Sequence, residues 1–407
     1  MFFRSENKSN MNASMAERDK TLIRQAKRLE SIEPFHVMRI ITRAMELQTS
    51  GTDIVNLAVG EPDFPTPKLI VDAAVKALTT DSMRYLPALG SEELREAISQ
   101  WYQRRYEIDV PKRRVAVTTG SSGALLLTMG VLVSPGDEIL MSDPSYPCNR
   151  HFVSTMEGQS TLIPVGPDSN YQLTAELVER NWTDRTVGVM VASPSNPTGT
   201  SIKLDVLKDI HRVVQANQGT LIVDEIYHGI TFGVDACSSL EFADDIFVIN
   251  SFSKYFAMTG WRLGWAVIPD KFIGSFEKLA QNLFISSPDI AQRAALAAFH
   301  PDSVGECEVH RASYQEHRDF LLAELREIGF KIPVEPTGAI YIYADCSGFS
   351  NDSFKLCEDL IESAGVAVAP GLDFGVYRAN EHIRFSYPKP IPVLAEGVRR
   401  IRAYLGR

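Results

Sequence analysis

Short apolar runs, each ending in polar or glycine residues, recur through the middle of the chain. They are rich in β-branched and aromatic residues and occupy positions 115–119, 138–142, 186–192, 220–223 and 246–250. Runs that are apolar at nearly every position are typical of strands buried on both faces of a parallel sheet. The later runs follow one another at about 30 residues, the length of one β-α-β unit, so the pattern predicts an α/β fold.

Other patterns flank this central region. An apolar stripe with helical spacing runs from Val37 to Leu47 and stops at Gly51, while residues 54–59 predict a strand. Beyond Asp270 the periodicity becomes mainly helical. The elements expected there are helices at about 302–328, 351–363 and 390–405, and strands at 338–344 and 366–369.

The length of the chain bears on its domain organisation. A single hydrophobic core stops growing at roughly 250 to 300 residues, so 407 residues predict two lobes. Residues 1–20 carry too few apolar groups to order themselves and are expected to form a mobile arm. The expected division continues with the first part of a smaller domain at 21–65, a large domain at 66–300 and the rest of the smaller domain at 301–407.

Composition and charge narrow the classes of function. The net charge of −10 gives no support for nucleic-acid binding, and no apolar run reaches the roughly 18 residues needed to span a membrane. The five cysteines form no C-x-x-C pair and no histidines form an H-E-x-x-H pattern, so neither a disulfide framework nor a metal site is expected. A cytoplasmic protein that acts on small molecules fits these features.

A lysine stands where the last of the central strands ends. Lys254 follows the run 246–250 and lies close in sequence to Ser251, Ser253 and Arg262. In open α/β sheets ligands bind beyond the carboxyl ends of the strands. A lysine there holds a phosphate as a point charge or forms a Schiff base with a carbonyl. Because the guanidinium and both hydroxyls are available to a phosphate, Lys254 is free for the Schiff base; an ordinary surface lysine is the alternative.

Two further strand ends carry polar residues. Asn196 and Asp224 each follow one of the apolar runs, and Tyr227 comes soon after Asp224. Consecutive strand ends would aim Asn196, Asp224 and Lys254 at one crevice. A carboxylate beside an apolar strand costs several kcal/mol unless it is paired, so Asp224 needs a cationic or donating partner. Capping of a following helix is the alternative role for this carboxylate.

Small and aromatic residues near other strand ends suit the same kind of ligand. A Gly/Ser turn that contains Ser121 and Ser122 precedes a helix expected from Ala124, and such a turn offers N–H groups and a positive dipole end to a phosphate. Tyr146, just past the run 138–142, offers a face on which a flat heteroaromatic ring can stack. The alternatives are an ordinary βα turn and a tyrosine that serves only packing.

The lysine segment resembles a known signature. Ser251-Phe252-Ser253-Lys254 followed by Gly260-Trp261-Arg262-Leu263-Gly264-Trp265 is similar to the pyridoxal-phosphate attachment site of the class I/II aminotransferases, which are fold-type I enzymes. Matching motifs extend from about residue 30 to about residue 390. The resemblance implies an α/β fold with a large cofactor-binding domain, whose mainly parallel sheet is flanked by helices, and a smaller α+β domain.

The resemblance also implies roles for the residues already named. Lys254 would form an internal aldimine with pyridoxal 5'-phosphate and act as general acid and base at the substrate's Cα. Asp224 would keep the ring nitrogen protonated. Asn196 and Tyr227 would donate to the phenolate oxygen, and Tyr146 would stack on the ring. The phosphate would be bound by Ser121, Ser122, Ser251, Ser253 and Arg262.

Three more matches concern the substrate and the quaternary structure. Gly60 begins a G-x-P-D-F loop that lines the substrate carboxylate in this family. Arg384, flanked by apolar strand residues, occupies the place of the family's α-carboxylate anchor, for which a planar fork is suited; an internal salt bridge is the alternative. Tyr85 matches a tyrosine that reaches the cofactor phosphate of the neighbouring subunit, which implies a homodimer with shared active sites.

The expected function is that of a pyridoxal-phosphate-dependent aminotransferase acting on an α-amino acid and a 2-oxo acid. A C–S β-lyase or a cyclopropane-forming synthase uses a similar site and is the main alternative. Tyr146 and Tyr227 argue against an acyl-CoA-condensing synthase, in which histidine is typical. A transcription regulator is disfavoured because the residues before the large domain leave no room for a basic DNA-binding module. No motif indicates the side chain of the substrate.

Overall fold

Residues 25–407, the part of the chain that the computed structural model describes, form twelve strands and twelve α-helices. The strands are β1 (Val55–Asn56), β2 (Val115–Thr118), β3 (Glu138–Asp143), β4 (Gln159–Pro164), β5 (Thr186–Ala192), β6 (Thr220–Asp224), β7 (Phe247–Ser251), β8 (Gly264–Val267), β9 (Tyr341–Asp345), β10 (Val366–Ala367), β11 (Ala369–Pro370) and β12 (His382–Ser386). The helices are α1 (His36–Thr49), α2 (Lys68–Thr80), α3 (Glu92–Tyr106), α4 (Gly120–Leu132), α5 (Pro147–Thr155), α6 (Ala175–Asn181), α7 (Leu204–Ala216), α8 (Ile273–Leu283), α9 (Asp289–Ala295), α10 (Pro301–Ile328), α11 (Ser353–Asp359) and α12 (Ile391–Leu405). Among these helices, none has the length and apolar character required to cross a bilayer.

A seven-stranded sheet forms the centre, with the strand order β2-β8-β7-β6-β5-β3-β4. Its pairs are parallel except for those that involve β8, which runs antiparallel to both β2 and β7. Helices cover the sheet, and this architecture confirms the predicted α/β fold. The strands β5, β6 and β7 are neighbours, so the residues that follow them meet at one edge of the sheet.

The continuous apolar runs have a structural cause. In β6, Leu221 and Val223 belong to one hydrophobic cluster and Ile222 belongs to another, and β7 divides Val248 and Ile249 in the same way. Successive side chains of a strand point to opposite faces of its sheet. Both faces are therefore covered by apolar side chains, and an alternation of polar and apolar residues is absent because neither face meets water.

Two smaller sheets join the beginning of the described chain to its end. β1 pairs in parallel with β10, with Val55 opposite Val366, while β12 lies between β11 and β9 in an antiparallel sheet. Helix α1 packs against α11 and β11. The domain boundaries at residues 20, 65 and 300 stay a prediction, and the expected arm at 1–20 lies outside the described residues.

Several elements differ from their expected bounds. The strand expected at 366–369 is divided between β10 and β11, which belong to different sheets. Helix α4 begins at Gly120 rather than at Ala124, so Ser121 and Ser122 lie in its first turn and not in a preceding loop. The strand expected at 54–59 is only two residues long; beyond it, the Asn56 side chain accepts the N–H of Ala58 at 3.0 Å in place of a strand partner. The earlier helix start matters for function, because it places two hydroxyls among N–H groups that have no intrahelical partner.

Candidate active site

A cavity of about 270 Å³ opens beyond the carboxyl ends of β5, β6 and β7. This is the position at which open α/β sheets bind their ligands. Most of the side chains singled out from the sequence meet there. Those that line the cavity are Gly60, Ser121, Ser122, Tyr146, Asn196, Asp224, Tyr227, Ser253, Lys254, Arg262 and Arg384.

Lys254 lies in the turn that follows β7. Its Nζ donates a hydrogen bond to the carbonyl oxygen of Gly60 at 2.7 Å. The turn is held by Ser251, whose Oγ accepts the N–H of Ser253 at 3.0 Å and donates to the Leu263 carbonyl at 3.1 Å. Ser251 does not line the cavity. Its hydroxyl supports the turn that carries the lysine, and the phosphate contact that the resemblance implied stays a prediction.

Four polar side chains surround one end of the cavity, here named the phosphate end: Ser121, Ser122, Ser253 and Arg262. Two glycines allow them to come close. Gly120 has φ +69°, and a Cβ there would lie 2.7 Å from Nη2 of Arg262, while a Cβ on Gly264 would lie 2.7 Å from the backbone nitrogen of Ser121. The first N–H groups of a helix carry the positive end of its dipole. With the guanidinium they form a site for an anion such as a phosphate.

Asp224 ends β6 and is buried. Its Oδ1 accepts the N–H of Ile226 at 3.0 Å, and a turn rather than a helix follows, so the helix-capping alternative does not apply. Burial raises the pKa of this carboxyl to about 7, against the lowering effect of the Ile226 N–H. A buried carboxylate gains from a cationic partner, and the cavity has room for one.

Tyr227 and Tyr341 form a pair of hydroxyls beside the lysine, and the sequence analysis missed the second of them. Their Oη atoms lie 2.7 Å apart, and Tyr341 also donates to the Gly60 carbonyl at 3.3 Å. Burial, followed by the presence of Tyr341, raises the pKa of the Tyr227 phenol well above its usual range. A Cβ on Gly60 would overlap the Tyr341 ring, so this close approach requires glycine.

Arg384 lies on β12, in the smaller antiparallel sheet, and lines another part of the cavity. Its Nη1 donates to Asn196 Oδ1 at 3.0 Å and its Nη2 donates to the Ala58 carbonyl at 2.6 Å. The rings of Tyr341 and Phe374 lie against the guanidinium, with centroids 4.3 and 4.8 Å away. In the described part of the chain, Nε is buried without a partner and the guanidinium forms no ion pair. The salt-bridge alternative is therefore not formed, and three of the five N–H groups of the guanidinium, including that of Nε, remain for a ligand.

The two remaining tyrosines are placed differently. Tyr146, at the start of α5, lines the cavity, and burial raises the pKa of its phenol. Tyr85 is 81% exposed and lies outside the cavity of its own chain, so its implied contact with a neighbouring subunit stays a prediction. Other lining residues carried no motif in the sequence. They include Phe35, Val37, Ile41, Tyr341, Asp373 and Phe374.

The arrangement fits the parts of pyridoxal phosphate. The phosphate end offers hydroxyl, N–H and guanidinium donors to the phosphate. Asp224 offers a buried carboxylate to a protonated ring nitrogen, and Lys254 offers an amine to the aldehyde. The phosphate end, Asp224 and Lys254 thus meet the needs of this cofactor. Arg384 offers the donors that an amino-acid carboxylate requires.

Known proteins with similar sequences are named aminotransferases. The profile of the family described as "Aminotransferase class I and II" matches residues 52–401. The valine–pyruvate aminotransferase of Mycobacterium tuberculosis is 40% identical over 377 residues, which cover 92% of this chain and 97% of that protein. An aspartate/prephenate aminotransferase of Thermus thermophilus is 32% identical over 385 residues, which cover 94% and 99% of the two chains.

Solved structures agree with the sequences. The crystal structure of an aminotransferase from Mycobacterium tuberculosis superposes with a TM-score of 0.91 at 39% identity, covering 95% of this chain and 100% of that one. The aspartate aminotransferase of Thermus thermophilus with maleate gives 0.89 at 32% identity, covering 94% and 100%. These relatives favour transamination over the lyase and synthase alternatives. The chain therefore belongs to the class I and II aminotransferase family and is a pyridoxal-phosphate-dependent transaminase.

Proposed function

We propose that Lys254 carries pyridoxal phosphate and that the enzyme uses this cavity to move an amino group between an α-amino acid and a 2-oxo acid. The observation that carries the proposal is the convergence of Lys254, Asp224 and Arg384 on one cavity. When bound, pyridoxal phosphate supplies an electron sink for the bond that breaks at the substrate's Cα.

The proton transfers belong to Lys254. With the substrate bound, the free amine of Lys254 would take the proton from Cα and deliver it to the carbon on the other side of the substrate's nitrogen. The Gly60 carbonyl, 2.7 Å from Nζ, orients the amine. Asp224 keeps a proton on the ring nitrogen, because its buried carboxylate is stabilised by an adjacent positive charge.

The groups around Arg384 orient the substrate and the ring. Because Asn196 Oδ1 accepts a hydrogen bond from Arg384, the amide nitrogen of Asn196 is left to donate to the phenolate oxygen, as is the Tyr227 hydroxyl. The buried Nε of Arg384 and its neighbouring Nη provide a fork of donors for the α-carboxylate. The carboxylate would thereby be fixed while the proton moves at Cα.

The charges in the cavity bear on the class of substrate. Its lining contains three cationic side chains in the described residues, namely Lys254, Arg262 and Arg384. Each is assigned to the cofactor or to the α-carboxylate, so none of this subunit's lining cations remains for a second carboxylate. We therefore propose monocarboxylic partners. The Mycobacterium relative, which is named for valine and pyruvate, supports this choice, whereas the Thermus relative is named for aspartate and prephenate.

Reduction of the purified enzyme with borohydride tests the cofactor assignment. The expected result is one pyridoxyl group on the peptide that contains Lys254, identified by mass spectrometry. A label on another lysine would overturn the assignment. In the same preparation, valine with pyruvate should support faster turnover than aspartate with 2-oxoglutarate, and the opposite order would contradict the proposed substrate class.

We also propose a symmetric homodimer in which Tyr85 serves the partner's site. Tyr85 is 81% exposed, and the N–H of the adjacent Leu86 donates to Ser286 Oγ at 3.3 Å, close in the chain to Leu283 and Ile285, each 53% exposed. Exposed apolar groups that lie together mark protein interfaces. Two-fold dimers are also the commonest closed assemblies.

Mixed dimers test this arrangement. A Tyr85→Phe subunit and a Lys254→Ala subunit are each impaired alone, but in a heterodimer the first supplies Lys254 and the second supplies Tyr85 to the same site. One site per heterodimer should then recover the wild-type affinity for pyridoxal phosphate. If the heterodimer binds no better than the Tyr85→Phe dimer, Tyr85 acts within its own subunit or not at all.

A further inference from the structure

Helix α1 has no capping side chain of its own. Phe35 occupies the N-cap position, and the first turn of the helix contains no acidic residue. The N–H groups of His36 and Val37 donate instead to the two carboxylate oxygens of Asp373, at 2.6 and 2.8 Å. The first N–H groups of a helix lack intrahelical partners, and a carboxylate there also offsets the dipole. The start of α1 is therefore held by a residue 336 positions or more away along the chain.

The segment that carries Asp373 is itself fixed to the central sheet. Asp143, the last residue of β3, accepts the N–H groups of Val376 and Tyr377, each at 3.0 Å from Oδ2. The N–H of Ser145 donates to the Phe374 carbonyl at 2.8 Å. Asp373 is 2% exposed. The position of α1 relative to the sheet, and so to the cofactor site, is set through this segment.

The residues that α1 and its N-cap bring to the cavity are apolar. Phe35, Val37 and Ile41 line it and are half-buried. Val37 also packs against a small cluster that contains Phe374, whose ring lies against Arg384. A carboxylate held by Arg384 would place the substrate's side chain in the same part of the cavity. The apolar side chains from α1 are then its neighbours.

We propose that Asp373 is a positioning residue that holds α1 so that Phe35, Val37 and Ile41 form an apolar subsite for the substrate's side chain. The subsite selects α-amino acids with branched apolar side chains, such as valine, over alanine. This inference rests on the function proposed above, since it assumes that Arg384 holds the α-carboxylate. Such a subsite favours a larger apolar side chain, because that side chain removes more apolar surface from water than the methyl group of alanine does.

The test compares two substrates in the same enzyme. Loss of the cofactor's absorbance after addition of valine or alanine alone reports each half-reaction, and the ratio of the two kcat/KM values reports the subsite. In Asp373→Asn one charged acceptor becomes a neutral amide whose nitrogen cannot accept an N–H, so the start of α1 loosens. The valine-to-alanine ratio should fall about tenfold, within the range that a few methyl contacts provide.

Asp352→Asn is the matched control. Asp352 is the N-cap of α11 and accepts the N–H of Lys355 at 2.9 Å, but it does not line the cavity. Its substitution changes a helix-capping carboxylate to an amide in the same way and should leave the valine-to-alanine ratio unchanged. Should the ratio change equally in both variants, the effect would be one of general stability and the positioning role of Asp373 would be overturned.

Two further variants keep the inference open to refutation. Val37→Ala leaves Asp373 in place and removes part of the subsite, so it should also lower the ratio severalfold. If Asp373→Asn fails to fold, Asp373→Glu retains the charge but moves the acceptor oxygens, and its ratio should fall as well. An unchanged ratio in Val37→Ala, or in the Asp373 variant that folds, overturns the inference. Borohydride labelling of Lys254 in the wild-type enzyme separates this failure from a failure of the proposed function, because the labelling does not depend on Asp373.

Discussion

The phosphate end of the cavity and the end around Arg384 are built in different ways. At the phosphate end, Ser121 and Ser122 follow β2, and Ser253 and Arg262 follow β7, so short turns beyond strands of one sheet supply all four. At the other end, side chains arrive from α1, β9, β12 and the segment after β11. The first end is fixed by local chain geometry, while the second depends on tertiary hydrogen bonds between distant parts of the chain.

This difference separates two kinds of failure. A change at the cofactor side of the cavity should remove the chemistry for every substrate, since all of them use the same ring and the same lysine. A change around Arg384 or α1 should alter which substrates react while the cofactor stays bound. Substitutions on the two sides therefore test the comparison directly.

The largest effect is expected at Lys254. Lys254→Ala removes the amine proposed to attach the cofactor and to move the proton, so turnover should fall by roughly 10⁴-fold or more, at the upper end of what general acid–base groups contribute. The protein should still fold, and pyridoxal phosphate should then dissociate on dialysis where the wild-type enzyme retains it. Turnover within tenfold of wild type would place the essential amine elsewhere.

Asp224→Asn should have the next largest effect. The amide keeps the shape of the side chain but not the charge that stabilises a protonated ring nitrogen, so kcat should fall by roughly 10³-fold, as for other electrostatic groups at reacting centres. Asp345→Asn is the control, because Asp345 also ends a strand and accepts an N–H two residues later, from Ser347 at 2.8 Å, yet does not line the cavity. Similar losses in both variants would argue against the ring-nitrogen role.

The raised pKa of Asp224 also predicts how the stability of the cofactor-free protein depends on pH. This pKa is raised from 3.8 to about 7 by burial, so between these values the folded, cofactor-free protein binds a proton that the unfolded chain does not. Stability should then fall as pH rises through this window, by as much as roughly 4 kcal/mol at 1.36 kcal/mol per pKa unit. Thermal melts of cofactor-free wild type and Asp224→Asn should show a steeper decline for the wild type, and parallel curves would contradict the shift.

The contrast between the two ends also explains what could be predicted from the sequence. Asn196, Asp224 and Lys254 stand at the ends of three consecutive apolar runs, and the rule that parallel strands end at one edge was enough to bring them together. Ser251 was the exception. A hydroxyl beside the lysine suits a ligand or the turn equally well in sequence, and only the hydrogen bond to the Leu263 carbonyl shows that it is used in the turn.

The side chains around Arg384 were harder to predict. Tyr341 and Tyr343 lie two apart on β9, and both are buried, but only Tyr341 lines the cavity. Asp373 carries no local signal, since the N–H groups that it caps belong to the other end of the chain. Such contacts follow from packing between distant segments, which no motif or period in one chain records.

A fourth prediction concerns Arg384. Arg384→Lys keeps the charge but loses the planar fork, and charge-assisted hydrogen bonds are worth about 1.5 to 3 kcal/mol each, so kcat/KM for amino acids should fall by roughly 10². Cofactor absorbance should stay normal, since Arg384 is not among the residues proposed to bind the phosphate. Arg114→Lys is the matched control: Arg114 is also 6% exposed and donates to backbone carbonyls, but lies outside the cavity. Loss of the cofactor in Arg384→Lys would make this arginine structural.

The smallest effect is expected from Tyr341→Phe, which tests whether the two ends of the cavity are linked through Tyr227. The Tyr341 hydroxyl is 2.7 Å from the Tyr227 hydroxyl and 3.3 Å from the Gly60 carbonyl oxygen. Its removal therefore deletes one hydrogen bond to Tyr227, beside the proposed position of the cofactor ring, and one to Gly60, in the loop beside Lys254. A neutral hydrogen bond contributes about 1 kcal/mol, which corresponds to a fall of roughly fivefold in kcat/KM.

Since the ring of Tyr341 remains against Arg384 in this variant, KM for the amino acid should change less than kcat. Tyr387→Phe removes a comparable bond, from Tyr387 Oη to the Ala339 carbonyl at 2.9 Å, outside the cavity, and should leave both constants unchanged. If Tyr341→Phe raises KM alone, the hydroxyl belongs only to the substrate end. A fall in kcat with KM preserved would instead show that this tyrosine joins the two ends, because its hydroxyl acts on Tyr227 while its ring packs on the arginine.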